Sequence, residues 1–197
     1  MPILGIVASS NYQRVAPDTG AMFPLGMVQV GSGGAANIEF TSIPSTYTHL
    51  QIRSIAQSDR GTYGIDSIQI QLNSDTSSNY ATHWLYGDGS SASAGAITTN
   101  TYLRPGDGLI GTSTGNSSLV WGAAIIDFLD YKNTNKYKTV RALQGVDLNG
   151  TVASVGGRVG LGSGVWLSTN AVTSIKIYPQ AGTKWNQYSS FALYGIK

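Results

Sequence analysis

Residues 119 to 148 restrict the possible folds of this chain more than any other stretch. They contain two apolar runs separated by one polar, basic connection. In each run apolar side chains recur at every second position, which is the period of an extended strand. Because Trp, Ile and the Thr-Val pair favour strands, the stretch predicts a central β-hairpin. In the outgoing arm Ala124, Ile126 and Phe128 would point to one side and Ile125, Asp127 and Leu129 to the other. In the return arm Val140, Ala142 and Gln144 would alternate with Arg141 and Leu143.

The rest of the chain also predicts an all-β fold. Gly, Ser, Thr and Asn make up more than a third of the residues and charged residues only 11%, which suits short strands joined by tight turns. With the hairpin, about ten strands are expected, which favours a single antiparallel β-sandwich of jelly-roll type over residues 28 to 197. The further strands are predicted at residues 28–30, 38–40, 47–55, 67–72, 82–86, 96–103, 158–167, 172–178 and 188–196.

We expect large apolar side chains from these strands to fill the core of the sandwich. The expected core residues are Ile52, Ile70, Trp84, Trp121, Ile126, Phe128, Leu143, Trp166, Ile175 and Phe191.

The glycine-rich residues 31 to 36 predict the turn of a hairpin between strands 28–30 and 38–40. The same hexapeptide fits the dinucleotide-binding pattern G-x-G-x-x-A. That pattern requires a helix after the glycines, whereas the residues that follow here predict a strand. We therefore expect no nucleotide site at this position.

Residues 1 to 27 are predicted to form an extended N-terminal arm. Pro17, Pro24 and Gly26 are expected to prevent regular strand pairing over any length. Burial of four apolar side chains would contribute about 6 to 10 kcal/mol before the cost of ordering the chain, which is enough to anchor a subunit. The expected anchoring residues are Ile3, Leu4, Ile6 and Val7.

Charge and cysteine content restrict the possible partners. The formal net charge of +2 is too small to indicate nucleic-acid binding. The apolar run from residue 3 to residue 8 is too short to cross a membrane, so we expect no membrane insertion. The chain contains no cysteine, which excludes disulfides and thiolate zinc sites.

Two weak motifs do not predict catalysis or a bound metal. Residues 111 to 115 match G-x-S-x-G, and His49 or His83 could complete a triad, but the surrounding composition predicts a loop instead of the required strand, turn and helix. Residues 73 to 79 supply side-chain oxygens at alternate positions, yet only Asp75 is charged, which is typical of an Asx turn. We expect no catalytic residues, no metal and no cofactor.

Two loops combine aromatic and polar side chains, as sugar-binding and protein-binding surfaces often do. A solvated loop explains the same residues, so both interpretations stay open. The candidate binding residues are Tyr86 and Asp88 in the first loop, and Tyr131, Lys132, Asn135, Lys136 and Tyr137 in the second.

Three segments of the chain are FTSIPSTYTHLQIR at residues 40 to 53, DYKNTNKYKTVR at 130 to 141 and YSSFALYGIK at 188 to 197. They resemble small stand-alone virion structural proteins of tailed bacteriophages, especially aquatic ones. The opening PILGIVASS resembles the same proteins. The resemblance implies a jelly-roll-like β-protein displayed on the virion as a homo-oligomer, with a trimer favoured.

On this resemblance we expect a non-enzymatic structural protein on the outer surface of a tailed-phage virion, as a tail fibre or tail-tip component that contacts the host surface. The arm would attach it to other virion proteins, and a host-surface glycan is a candidate ligand of its loops. A capsid decoration protein and a free carbohydrate-binding module are the alternatives.

Overall fold

The computed structural model describes residues 21–61, 63–106, 110–112, 119–152 and 155–197. These ranges contain thirteen β-strands, and they include no helix that is long and apolar enough to cross a membrane. The strands are β1 (Met22–Gln29), β2 (Ile38–Phe40), β3 (His49–Ser58), β4 (Ile65–Asp66), β5 (Ile68–Leu72), β6 (Tyr80–Gly87), β7 (Ala92–Asn100), β8 (Ile110–Thr112), β9 (Gly122–Leu129), β10 (Lys138–Val152), β11 (Val155–Trp166), β12 (Ile175–Pro179) and β13 (Ser190–Ile196).

Ten of these strands form the main sheet. Eight follow the order β1-β13-β3-β9-β10-β11-β6-β7, and β8 joins β4 to β3. Neighbours in the eight-strand order are antiparallel, whereas β8 pairs with β3 in parallel. At the centre β9 pairs with β10, with Phe128 opposite Val140 and Ile125 opposite Leu143, which confirms the predicted hairpin.

A small sheet of order β2-β12-β5 covers one face of the main sheet, which we call the inner face. Ile70 and Ile177 from the small sheet lie fully buried in the same cluster as Ile52 and Ile126 from the main sheet. Two antiparallel sheets packed around one core confirm the all-β sandwich, and the fold is consistent with a jelly-roll-like arrangement.

The expected core is confirmed at most of its positions but not at all of them. Trp84 and Trp121 are only partly buried, and the prediction for Leu143 is wrong, since its side chain is 50% exposed. Leu143 points to the face opposite the small sheet, because it pairs with Ile125 and not with the inward-facing Ile126. The residues confirmed as buried are Ile52, Ile70, Ile126, Phe128, Trp166, Ile175 and Phe191.

The predicted hairpin across residues 28 to 40 is wrong. β1 pairs with β13 in the main sheet, whereas β2 pairs with β12 in the small sheet. The glycine-rich connection therefore carries the chain from one sheet to the other. Gly33 and Gly34 have φ angles of 94° and 81°, which other residues adopt only with strain, so glycine suits this crossover as well as it suits a hairpin turn.

The predicted boundary of the arm at residue 27 also needs correction, because β1 already begins at Met22. Pro24 is tolerated because β1 is an edge strand and pairs only with β13 in the described part of the chain. The register shifts between Pro24 and Gly26, which absorbs the irregularity as a bulge. Residues 1 to 20 lie outside the described ranges, so the arm itself stays a prediction.

Candidate functional site

The face of the main sheet opposite the small sheet, which we call the outer face, carries a group of exposed aliphatic side chains. Each of them is between 37% and 60% exposed. We call this group the apolar stripe, and it consists of Ile55, Leu85, Ile125, Leu143, Val159 and Leu161.

The strand register explains how the apolar stripe becomes continuous. Four of its residues form one row across β9, β10, β11 and β6, because Ile125 pairs with Leu143, Leu143 with Leu161, and Leu161 with Leu85. The remaining two lie in the next row, where Ala123 and Gly145 separate Ile55 from Val159. The small residues leave a shallow concavity of about 530 Å³ between the large ones.

A polar row borders the apolar stripe on the outer face. Gln51 and Arg141 lie opposite Asp127 on the two neighbouring strands. The Gln51 Nε2 donates to one Asp127 carboxylate oxygen at 2.8 Å, and an Arg141 guanidinium nitrogen donates to the other at 2.8 Å. The Arg53 Nε, at the edge of the concavity, donates in turn to the Gln51 Oε1 at 2.9 Å, so the polar row adjoins the apolar stripe on β3.

The two ends of the main sheet differ in what they carry. We call the end with Met22 and Leu129 the proximal end, and the end with Ile55, Gly87 and Ala123 the distal end. The strand registers place these residues at opposite ends of paired strands. One predicted binding loop follows Leu129 at the proximal end, and we call it the proximal loop. The other follows Gly87 at the distal end, and we call it the distal loop. The structure therefore does not bring the two loops together.

Tyr131 of the proximal loop was expected to be exposed and is buried instead, as is Lys138 at the end of the loop. Tyr131 is 1% exposed, and its hydroxyl donates to the carbonyl oxygen of Pro44. Burial raises the pKa of this hydroxyl. Lys138, where the loop joins β10, is also 1% exposed. The prediction of an exposed binding residue is therefore wrong for Tyr131, which attaches the loop to the body of the protein.

The ammonium group of Lys138 organises the proximal loop from inside. It donates to the carbonyl oxygens of Asn133, Lys136 and Thr169 at 2.5, 2.8 and 3.0 Å. Burial lowers the pKa of Lys138, and the positive charge of Lys136 lowers it further. Three carbonyl partners nevertheless compensate the buried charge, so this lysine has a structural position and is not available to a ligand.

The remaining candidates in the proximal loop, Lys132, Asn135, Lys136 and Tyr137, lie at the surface. Lys136 pairs with the Asp130 carboxylate, and this hydrogen bond lowers the pKa of Asp130. The side chain of Tyr137 is 53% exposed.

The distal loop is held by its own acidic residue. The Asp88 carboxylate accepts hydrogen bonds from the backbone N–H groups of Ser90 and Ser91 at 2.9 and 2.8 Å. These bonds hold the pKa of Asp88 below its usual value. Tyr86 is partly buried, and the Arg158 guanidinium lies 4.2 Å from the centre of its ring. Asp88 thus closes a turn, and a ligand would have to displace the bonds that form it.

Sequence reasoning missed two features near the distal loop. Trp121, expected in the core, instead lines a shallow concavity together with Asp88, Asp147 and Arg158. The apolar stripe was missed as well, although Ile125 and the other outward residues of the hairpin already showed that both faces carry apolar side chains. That double apolar character was the signal in the sequence.

The histidines do not form a catalytic arrangement in the part of the chain that the structure describes. His83 is exposed on the outer face. The Nδ1 atom of His49 accepts a hydrogen bond from the backbone N–H of Asp130 at 2.9 Å. The same nitrogen lies 3.6 Å from the Asp130 carboxylate. Residues 113 to 115 of the G-x-S-x-G match lie outside the described ranges.

The oxygen-rich turn after β5 is engaged by protein donors. The Asp75 carboxylate accepts from the indole Nε1 of Trp166 at 2.7 Å, from the backbone N–H of Ser77 at 2.9 Å and from the amide of Asn79 at 3.1 Å. Burial raises the pKa of Asp75, but these hydrogen bonds outweigh it and lower the pKa to about 2. The turn therefore connects β5 to Trp166 of the main sheet.

The anchoring residues Ile3, Leu4, Ile6 and Val7 lie outside the described ranges. Among the described residues, no group of three or more His, Asp or Glu side chains is placed to hold a metal ion.

No protein-family model and no curated protein matches the chain. Among solved structures, it is similar to a xylan β-1,4-xylosidase from Bacillus halodurans C-125 at 8% identity and a TM-score of 0.34, over 87% of this chain and 32% of that one. It is similar to a GH43 glycoside hydrolase with an engineered active site at 15% identity and a TM-score of 0.34, over 92% and 37% of the two chains. The Emp46p carbohydrate recognition domain gives 9% identity and a TM-score of 0.20, over 80% and 87%.

The chain spans about a third of the length of the two glycoside hydrolases. Likenesses at these TM-scores carry no argument about function.

Proposed function

We propose that this chain is a non-enzymatic structural protein that assembles as a homo-oligomer, with a trimer favoured, on the outer surface of a tailed-bacteriophage virion. Its place would be a tail fibre or tail tip. The observation that carries the proposal is the apolar stripe, six aliphatic side chains that are 37% to 60% exposed on one face of the main sheet. Contiguous exposed apolar patches mark surfaces that another molecule covers, which favours a protein that functions in an assembly.

The segments that resemble tailed-phage virion proteins support the same proposal, because they contact one another in the fold. The ammonium group of Lys132 donates to the carbonyl of Ser45 at 3.1 Å, and the hydroxyl of Tyr131 to that of Pro44. The backbone N–H of Thr48 donates to the carbonyl of Ile196 at 2.8 Å. The three segments therefore contact one another at the proximal end, although they are distant in sequence.

The distal end is the part that we propose faces outward. β1 begins at the proximal end, so an arm that attaches the subunit leaves the domain there, while the distal loop lies at the other end of the main sheet. Trp121 and Asp147 line a concavity beside this loop. A partly buried indole that lines a concavity next to polar groups suits a host-surface glycan, which we propose as the ligand class.

Immunogold electron microscopy tests the proposal on virions of the phage that encodes the chain, with antibodies raised against the purified protein. We expect gold particles at the tail. Label confined to the capsid shell would contradict a tail location and indicate a decoration protein. Unlabelled virions, combined with binding of the free protein to a glycan array, would overturn the proposal in favour of a free carbohydrate-binding module.

A further inference from the structure

We infer that the apolar stripe of one subunit is the docking surface for residues 3 to 8 of a neighbouring copy of the same chain. The inference rests on the proposed function and deepens it, because it names the surface to which the anchoring arm binds. Exchange of a terminal segment between identical subunits is a common way to build closed homo-oligomers.

The surface and the proposed occupant match in chemistry. The apolar stripe consists of aliphatic side chains, and Ala123 and Gly145 form the floor of the concavity between them. The segment from Ile3 to Ala8 is aliphatic apart from one glycine, and the first charged residue of the chain is Arg14. An uncharged aliphatic segment adds no unpaired charge to such a surface. Arg53 at its edge already donates to the Gln51 Oε1.

The two also match in length. The apolar stripe crosses five strands from β3 to β6, which amounts to four interstrand spacings of about 4.8 Å, or roughly 19 Å. Six residues in extended conformation span about 20 Å. One arm segment is therefore long enough to cover the whole stripe.

The direction of β1 favours a neighbouring copy over the same chain. Met22 pairs with Ile196 at the proximal end, and Gln29 pairs with Ser190, which in turn lies opposite Ile55 of the apolar stripe. β1 thus runs from the proximal end toward the distal end, where Ile55 of the apolar stripe lies. Ala21, just before β1, still pairs at this edge, since its carbonyl accepts a hydrogen bond from the Lys197 N–H at 3.3 Å.

To reach its own apolar stripe, the arm would have to reverse and cross the polar row at Asp127. The thirteen residues between Ala8 and Met22 span up to about 45 Å when extended. A subunit placed beyond the proximal end lies within that reach and requires no reversal.

Disulfide cross-linking tests the inference in the full-length protein, because the natural chain contains no cysteine. One chain carries Ile6→Cys, and a second chain of different mass, distinguished by a tag, carries Val159→Cys in the apolar stripe. The matched control is Leu167→Cys, which is exposed at 42% but lies outside the stripe. After mixing and mild oxidation, we expect at least ten times more mixed disulfide with Val159→Cys than with the control, as measured on non-reducing gels.

Equal yields with Val159→Cys and Leu167→Cys would overturn the inference. A double variant with Ile6→Cys and Val159→Cys that forms its disulfide only within one chain would overturn the assignment to a neighbouring copy. The inference and the proposed function fail separately. Gold label on virion tails with equal cross-linking yields would remove only the inference, whereas unlabelled virions would remove the proposed function whatever the cross-linking result.

Discussion

The inner and outer faces of the main sheet are built from alternate residues of the same strands, yet they are completed differently. Ile126 and Phe128 on the inner face are fully buried, whereas Ile125 and Leu143 on the outer face are 37% and 50% exposed. The inner face is covered by the small sheet of the same chain. Both faces are apolar in sequence. The strand pattern therefore indicates that both faces need to be covered, but it does not indicate whether the same chain or another molecule covers each one.

The polar groups of the two faces differ in the same way. On the inner side Lys138 is buried among three carbonyl oxygens, so its partners are fixed by the fold. On the outer face Arg141 pairs with Asp127 while its own side chain remains 68% exposed. We therefore expect polar substitutions on the inner side to cost more stability than those on the outer side.

The largest expected effect is on the inner face at Phe128. Its ring is fully buried, so Phe128→Ala should lower the free energy of unfolding by about 3 to 5 kcal/mol. Urea unfolding followed by tryptophan fluorescence measures this change. A loss under about 1 kcal/mol would show that the inner face tolerates a cavity there, and the contrast between the two faces would fail.

Two adjacent isoleucines provide a matched pair across the sheet. Ile126→Ala on the inner face should cost about 2 to 5 kcal/mol, since the residue is fully buried. Ile125→Ala on the outer face should cost about 1 kcal/mol, because its side chain is already 37% exposed. The difference between the two melting temperatures, measured under conditions that keep the protein monomeric, sharpens the comparison. Equal losses would contradict it.

The buried lysine gives a smaller expected effect. Lys138→Met removes three hydrogen bonds from a charged donor while conserving most of the side-chain volume, so it should lower the free energy of unfolding by about 2 to 3 kcal/mol. The control Lys136→Met, at a side chain that is 54% exposed, should cost under about 1 kcal/mol. Chemical denaturation of both variants measures the difference, and similar losses would argue against a structural role for Lys138.

The hydrogen bond between Asp75 and Trp166 links the turn after β5 of the small sheet to the main sheet. Its contribution to the free energy of unfolding depends on pH. The hydrogen bonds that hold the pKa of Asp75 at about 2, below its ordinary value of 3.8, stabilise the folded state. This stabilisation is fully present above about pH 4 and is lost as the pH falls toward 2, and we expect about 1 to 2 kcal/mol after allowing for solvent screening.

Unfolding of wild type and Asp75→Asn at several pH values checks this expectation. The wild type should be the more stable protein at pH 6, and the difference should shrink steadily between pH 4 and pH 2. A difference that is independent of pH would show that the carboxylate charge has no part in the bond.

The smallest effect is expected in the polar row of the outer face. Arg141→Ala breaks an exposed ion pair with Asp127 and should cost about 0.2 to 1 kcal/mol. The loss should decrease in high salt, because salt screens exposed charges. Thermal unfolding at low and high ionic strength measures both values. A loss of several kcal/mol would mean that the outer face is as strongly coupled to the core as the inner one.

Much of the fold could be predicted from local patterns. The alternation around Ile126 and Ala142 predicted the central hairpin and which side chains alternate along each of its arms, because the strand period is a property of consecutive residues. It could not decide which face is covered. Leu143 is as apolar as any core residue, and the strands that cover the inner face come from positions as distant as residues 38 to 40 and 175 to 179.

The candidate site was less predictable than the fold. Composition correctly indicated a polar surface at Lys132 and Tyr137, but Tyr131 is buried by a hydrogen bond to Pro44, 87 positions away in sequence. Such a contact leaves no local pattern. The crossover at residues 31 to 36 was missed for a related reason, because glycines permit a hairpin turn and a change of sheet equally well.

The two outer strands of the main sheet have a further consequence for how the protein misassembles. β1 presents Pro24 and a bulge at its edge, both of which discourage the addition of a foreign strand. β7, with the sequence ASAGAITTN, presents neither proline nor charge. We therefore expect unwanted strands to add beside β7 and not beside β1 when the protein is concentrated.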